Sequence, residues 1–359
     1  MSGKENNMAE VAEYLKKAVA VGASDILMLS GMPVSMRICG EIIAEDEPNV
    51  MPEAAEELVE GLYKLANREM DHFRSVGDDD FPLSVSGLSR FRVSTYRQRG
   101  SAAAVVRVVR FDIPDYQTLR IPDEVMRIAD KKHGLVLVTG PTGCGKSTTL
   151  ACVVDAINRT RRSHIITIED PIEFLHRNKM SAISQREVGA DTEDYVSAMR
   201  ASLRQTPDVI QLGEMRDYET INAAVTAAET GLLVLSTLHT LGAANTVDRI
   251  IDVFPSKSQN QIRLQLSMTL QTVVSQQLLP DTSGGLTAAF EIMHLNSAIR
   301  NMIRESKTHQ IDSVIQTCAS EGMISMDTSI LNLYRAGRIS AETAVKYAMN
   351  AEQMEKKLR

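Results

Sequence analysis

GLVLVTGPTGCGKSTTLACVVDAINRT, residues 134–160, reads as a short apolar strand, a glycine-rich turn and a helix in direct succession. The turn, GPTGCGKS, fits the pattern G-x-x-x-x-G-K-[ST] in full, and a strand before it and a helix after it are the context that pattern requires. Its glycines allow successive backbone N–H groups to turn inward around phosphate, at the positive end of the next helix. Gly140, Pro141, Thr142, Gly143, Cys144, Gly145, Lys146, Ser147 and the next residue, Thr148, are the candidate nucleotide-binding residues. Lys146 is placed to reach the β- and γ-phosphates and Ser147 to ligate magnesium, so the implied cofactors are ATP and Mg2+. Cys144 reads as a small filler, with a redox switch as the alternative. A chance glycine-rich turn would not sit between this strand and this helix.

Working outward, three more apolar strands alternate with helical stretches: SHIITIED, PDVIQLGE and GLLVLSTLHT. Such alternation implies a parallel sheet wrapped by helices, and ligands of such sheets sit at the carboxyl ends of the strands. The residues at each strand's carboxyl end therefore face the phosphates. Glu169 ends the first, Glu214 comes after the second, and His239 after the third. Glu214 can polarise an attacking water or hold magnesium through water, which makes it a second metal candidate beside Ser147; Glu169 competes as the base. Gly213 is expected to keep bulk away from the metal's hydration shell. His239 can sense the γ-phosphate. Gln211, inside an otherwise apolar strand, has no evident purpose.

Arginines form the next pattern. Arg200 and Arg204 are spaced to share one helix face before the Glu214 strand, Arg249 lies in VDRIIDVF, and Arg92 and Arg107 mark an earlier strand-rich region. Some of these read as surface ion pairs, each worth little. So many around one nucleotide also suggest charge stabilisation across a subunit boundary, hence a ring.

The first part of the chain, 1–112, reads as an α+β module: an amphipathic helix, the strands DILMLSG and VSMRICGEI, helical periodicity over 52–75, then an antiparallel meander. Residues 113–121 fall in a proline-containing, aperiodic link. An ATPase core follows over 122–290, with one hairpin near SQQLLPDTSGGLTAAFEIM, and 291–359 is helical. The chain is long enough, at 359 residues, for two such cores. A net charge of −7 argues against bulk attraction to nucleic acid. Four scattered cysteines, Cys39, Cys144, Cys152 and Cys318, suit a reducing compartment without structural zinc. With neither a signal-peptide pattern nor an apolar run of about 20 residues, the expectation is a cytoplasmic protein that meets the membrane only through a partner.

These motifs resemble those of the secretion ATPases of type IV pilus and type II secretion systems, most closely the pilus-retraction (PilT-type) group. ASDILMLSGMPVSMRICGEI resembles that family's opening, RFRVSTYRQRGSAAAVVR its PAS-like domain, TIEDPIEF its Asp box, GEMRD its Walker B, STLHT its His box and AIRNMIRE, residues 298–305, a retraction-associated segment. The resemblance implies an α/β fold with a PAS-like α+β domain joined to a RecA-like P-loop ATPase domain and a helical C-terminal part. It further implies a cytoplasmic homohexamer at the inner face of the membrane, acting on an inner-membrane platform protein, with a paralogous retraction ATPase as a further partner. Nucleotide sites would lie between the two domains, with arginines reaching in. Leu27, Thr206, Gln211 and the pair Leu241–Gly242 depart from the pattern. Two other readings compete: a DNA-translocating or helicase-like ring, and an ATP-binding scaffold of negligible turnover.

Overall fold

The computed structural model describes residues 2–38, 40–109 and 113–358, with side chains from residue 7 onward. Cys39, the first residues of the connection at 111–112, and hence the 112 boundary itself, lie outside the described residues. The chain divides into two compact units: Met1–Asp112 with Glu173–Leu175, and Ile113–Ile172 with His176–Arg359.

In the first unit, α1 (Ser2–Ala20) precedes β1 (Asp25–Met28), β2 (Ser35–Ile38) and β3 (Glu41–Ala44); α2 (Pro52–Leu65) and α3 (Asp71–Val76) follow, then β4 (Asp78–Val85), β5 (Ser89–Gln98) and β6 (Ser101–Val109). The six strands make one sheet in the order β3-β2-β1-β6-β5-β4, every pairing antiparallel. VSMRICGEI, expected as one strand, is two, because Gly40 turns the chain back at φ +91°. Strand alternation sends Ile26, Met36, Phe91, Val93 and Val106 to one face, where Val11 and Leu15 of α1 and Leu58, Val59 and Leu62 of α2 cover them. The other face is charged: Arg92 lies opposite Arg107, Arg107 opposite Asp25, and Asp25 opposite Arg37.

The second unit begins with an irregular segment whose Ile121 is buried in the core, followed by α4 (Asp123–Met126). Next come β7 (Gly134–Thr139), α5 (Lys146–Thr160), β8 (His164–Glu169), β9 (Ala182–Glu187), α6 (Tyr195–Ser202), β10 (Val209–Leu212), α7 (Tyr218–Glu229), β11 (Leu233–Leu238), α8 (Ala243–Asp252) and α9 (Gln259–Thr269). The chain ends with β12 (Leu270–Pro280), β13 (Leu286–His294), α10 (Ser297–Arg304), α11 (Ile311–Thr317), α12 (Met326–Arg335), α13 (Ala341–Tyr347) and α14 (Ala351–Leu358). The sheet order is β13-β12-β7-β11-β10-β8-β9, parallel throughout except for β13.

Alternation within the strands divides the core in two. Val136, Val138, Ile165, Val209 and Leu235 point to one side, against Leu150, Val153, Val154 and Ile157 of α5. Leu135, Leu137, Ile166, Ile168, Ile210 and Leu212 point to the other, under α6 to α11. Each of those fully buried aliphatic side chains contributes roughly 1.5–3 kcal/mol, so α5, and with it the glycine-rich loop, is fixed to the sheet along its whole length.

Three expectations shift. β9 was not expected, because AISQRE is polar and sits at the sheet's edge. β13 runs to His294, beyond the 290 boundary. The helix carrying Arg200 stops at Ser202; Arg204 lies in the turn after it, and Thr206 adopts φ +49° just before Pro207. Among the described residues no helix is long and apolar enough to cross a membrane.

Candidate active site

Every parallel strand of the second unit presents its carboxyl end to the same edge, and the loop after β7 lies at the centre of that edge. Gly140 takes φ +141°, and a Cβ there would lie 2.2 Å from the Gln276 carbonyl oxygen and 2.8 Å from Cys144 Sγ. No other residue fits. Cys144 is thus a buried filler; burial pushes its thiol above the ordinary range, against the opposing pull of Lys146, which disfavours the thiolate a redox switch needs. Lys146, the first residue of α5, is buried, and its Nζ donates to the carbonyls of Gly140 (2.8 Å) and Pro141 (3.0 Å). Ser147 and Thr148 come next, half-buried, in the first turn of α5.

His239 joins three of the predicted groups. Its Nε2 lies 2.9 Å from Glu214 Oε2, and its Nδ1 lies 3.4 Å from both Lys146 Nζ and Thr142 Oγ1. A ring carrying its proton on Nε2 satisfies these contacts: it donates to the carboxylate and accepts from the ammonium. Glu214 is also paired with Arg216. Burial pushes the Glu214 carboxyl up, but hydrogen bonds from Arg216 and His239, with the charge of Arg216, outweigh it and hold it below the usual range. Lys146, His239 and Glu214 form one hydrogen-bonded line.

Glu169 belongs to a different network. It is buried at the end of β8, and its Oε1 accepts from Thr167 Oγ1 (2.5 Å) and Gln185 Nε2 (3.1 Å). Tyr195, which no motif singled out, stands near both carboxylates. Burial, followed by the charges of Asp170 and Glu214, drives its phenol well above the ordinary range. A Cβ on Gly213 would sit 2.9 Å from Tyr195 Oη and 3.3 Å from the Ile168 carbonyl. That close approach explains the glycine after β10, in place of the expected clearance for a metal's waters.

The arginines are dispersed. Arg200, Arg204 and Arg249 are all exposed, and Arg204 donates to the Arg200 carbonyl at 3.2 Å. In the first unit, Arg107 Nε donates to Asp25 Oδ1 at 2.9 Å, while Arg92 is exposed beside Arg107.

Two further features bear on the loop. A cavity of about 300 Å³ opens beside Gly145, Thr148 and Thr149, between residues 118–121 and the β12–β13 hairpin, with Arg338 at its wall. Leu241–Gly242, which leaves α8 without a side-chain cap, is compensated from afar: Ser275 Oγ accepts from the Gly242 N–H at 2.9 Å and Glu291 from the Ala243 N–H at 2.7 Å. In AIRNMIRE, Ile299 and Ile303 are buried as the helical spacing predicts. Arg300 turns inward to donate to the Ser267 carbonyl at 2.7 Å.

A parallel sheet wrapped by helices, with this loop at the head of α5, defines the P-loop ATPase class. The family described as Type II/IV secretion system protein matches residues 3–335, and the chain belongs to it. It is 43% identical over 336 residues to the type IV pilus retraction ATPase PilT of Pseudomonas aeruginosa, covering 93% of this chain and 97% of that protein. It is 46% identical over 310 residues to a twitching motility protein of Neisseria gonorrhoeae, covering 85% and 82%. Its fold matches the crystal structure of the pilus retraction motor PilT with bound ADP at a TM-score of 0.88 and 44% identity, over 96% of this chain and 98% of that one.

Proposed function

We propose that this chain is one subunit of a cytoplasmic homohexameric motor that hydrolyses ATP to power type IV pilus retraction. It would act at the inner membrane through a platform protein, with a paralogous retraction ATPase as a further partner. The observation that carries the reading is the line Lys146–His239–Glu214 laid across the phosphate loop, in a chain so similar to retraction ATPases over nearly its whole length.

The nucleotide's phosphates sit on the backbone N–H groups that the loop offers between Thr142 and Thr148, with Lys146 against them, and its base enters the cavity beside Thr148. The two glutamates divide the remaining work. Glu214, held charged, is a weak base and a good anchor for a hydrated cation; Glu169, at the end of the neighbouring strand, orients the attacking water and takes its proton. The residues present fit magnesium. One hydroxyl, Ser147, and one carboxylate are available, and no cluster of three or more His, Cys, Asp or Glu side chains that could hold a metal occurs among the described residues. That donor set suits a cation that keeps most of its waters and arrives with phosphate. Bound there, it would neutralise charge on the phosphates. Exposed Arg92, Arg107, Arg200, Arg204 and Arg249 supply positive charge to nucleotide in the assembled ring; Arg92 facing Arg107 is a like-charge pair that favours an anion nearby.

Steady-state ATP hydrolysis and mass, with and without nucleotide, test this for wild type beside Glu214→Gln. The expected result is a hexamer whose variant binds ATP but has lost turnover. Full turnover in the variant removes Glu214 from the chemistry. A wild type that binds ATP without hydrolysing it supports the scaffold reading, and hydrolysis stimulated by DNA the translocase.

A further inference from the structure

Gln276 lies in the middle of β12, on the face that packs against α5, and is 3% exposed. Both ends of its amide are used on the phosphate loop. Its Nε2 donates to the Cys144 carbonyl at 2.6 Å, and its Oε1 accepts from Thr149 Oγ1 at 2.8 Å, Thr149 being buried in the first turn of α5. Its own carbonyl oxygen occupies the space that a Cβ on Gly140 would need. One residue thus touches the loop at its start, its end and the helix beyond.

The chemistry rests on the planarity of the peptide bond. The carbonyl of Cys144 and the N–H of Gly145 belong to one plane and point in opposite directions. An amide that holds the Cys144 carbonyl outward therefore turns the Gly145 N–H inward, where an anion would be met. Nothing within the loop's own sequence does this. Gly145 is at φ +90°, so the residue on the far side of that peptide has a glycine's freedom to let it flip. Gln276 removes the freedom before nucleotide arrives, and Thr149 fixes which end of the amide donates.

We propose that Gln276, oriented by Thr149, is a positioning residue that sets the orientation of the Cys144–Gly145 peptide and thereby the loop's affinity for the triphosphate. The inference rests on the reading of residues 140–147 as the phosphate site.

The test uses the full chain, with ATP as substrate and ADP as the equilibrium-binding probe. Thr149→Val is isosteric and lacks the donor; Thr149→Ser keeps it. Removing one buried hydrogen bond that aligns the amide should raise the KM for ATP and the Kd for ADP about tenfold in Thr149→Val. Thr149→Ser should restore both, with kcat changing less than KM. Gln276→Glu keeps the shape but cannot donate to Cys144 when ionised. Its KM relative to wild type should be raised most at alkaline pH and should fall toward wild type as pH is lowered and the buried carboxyl regains its proton. A side chain that served packing alone would show no such pH dependence and no hydroxyl-specific rescue. Wild-type KM in both Thr149→Val and Gln276→Glu across pH, or equal impairment in Thr149→Ser and Thr149→Val, overturns the proposal. Lys146→Ala separates the two readings. If it still binds ADP as wild type does, the phosphate-loop assignment fails. If it loses binding while the other variants keep it, only the role of Gln276 fails.

Discussion

The ends of β8 and β10 each present a glutamate, and the fold treats the two in opposite ways. The strands are in register, Ile168 beside Leu212, and the Gly213 N–H donates to the Ile168 carbonyl, so Glu169 and Glu214 emerge one residue apart along the same edge. Glu214 has a guanidinium, that of Arg216, on one oxygen and the His239 ring on the other. Glu169 is buried and accepts from a hydroxyl and a side-chain amide. Two identical side chains thus have different neighbours, and residue type alone does not assign a role. Tyr195, whose phenol keeps its proton under the combined effect of burial and nearby acids, is the neutral boundary between the two networks.

The largest effects should come from removing either carboxylate. Glu169→Gln and Glu214→Gln should each lower kcat by on the order of 10²-fold or more, the usual cost of losing a positioned base or charge stabiliser. The magnesium requirement sharpens the contrast. Glu214→Gln should shift the magnesium concentration for half-maximal rate upward, by about 10-fold or more, while Glu169→Gln lowers the rate without that shift. The reverse pattern would exchange the two roles. Next in size is His239→Gln, which removes the bridge but neither carboxylate. A loss of about 10- to 100-fold in kcat with ADP affinity preserved is expected for a group acting through its neighbours. A variant unable to bind nucleotide would instead make His239 part of the binding site.

The contrast also explains what the sequence could reveal. The phosphate loop was legible because its function needs contiguous backbone, and contiguous backbone leaves a contiguous motif. The strand-end residues Glu169, Glu214 and His239 were legible one step later, through the rule that parallel strands end at the ligand. The line joining His239 to Glu214 and Lys146 was not, because it depends on the order β7-β11-β10-β8, which strand spacing along the chain does not encode. Tyr195 and the part played by Gln276 were missed for the same reason: each reaches the site by packing, from an element distant from the loop in the chain. Arg200 and Arg204 show the opposite error. Their spacing of four suggested one helix face, but the helix stops at Ser202, since the sequence must turn through Thr206 into a proline that disfavours helix in the residue before it.

Gln211 tests the comparison at its smallest scale. It sits inside β10, two residues before the glycine that places Glu214, with Thr167 of β8 and Leu235 of β11 as cross-strand neighbours. It is 6% exposed, and its Oε1 is buried without a hydrogen-bond partner among the described residues. On the face occupied by Val209 and Leu235, an uncompensated carbonyl carries a desolvation cost with no return. Gln211→Leu keeps a similar volume and removes that cost, so it should stabilise the second unit by about 1 kcal/mol, seen as a melting temperature higher by a few degrees. Turnover should not change, because β10 delivers Glu214 through its backbone and its pairing with β8 and β11. A lower melting temperature would mean that the amide is satisfied in the working protein. Unchanged stability with altered turnover would make Gln211 part of the site, and the boundary between the two glutamate networks would then lie inside the strand, not at its end.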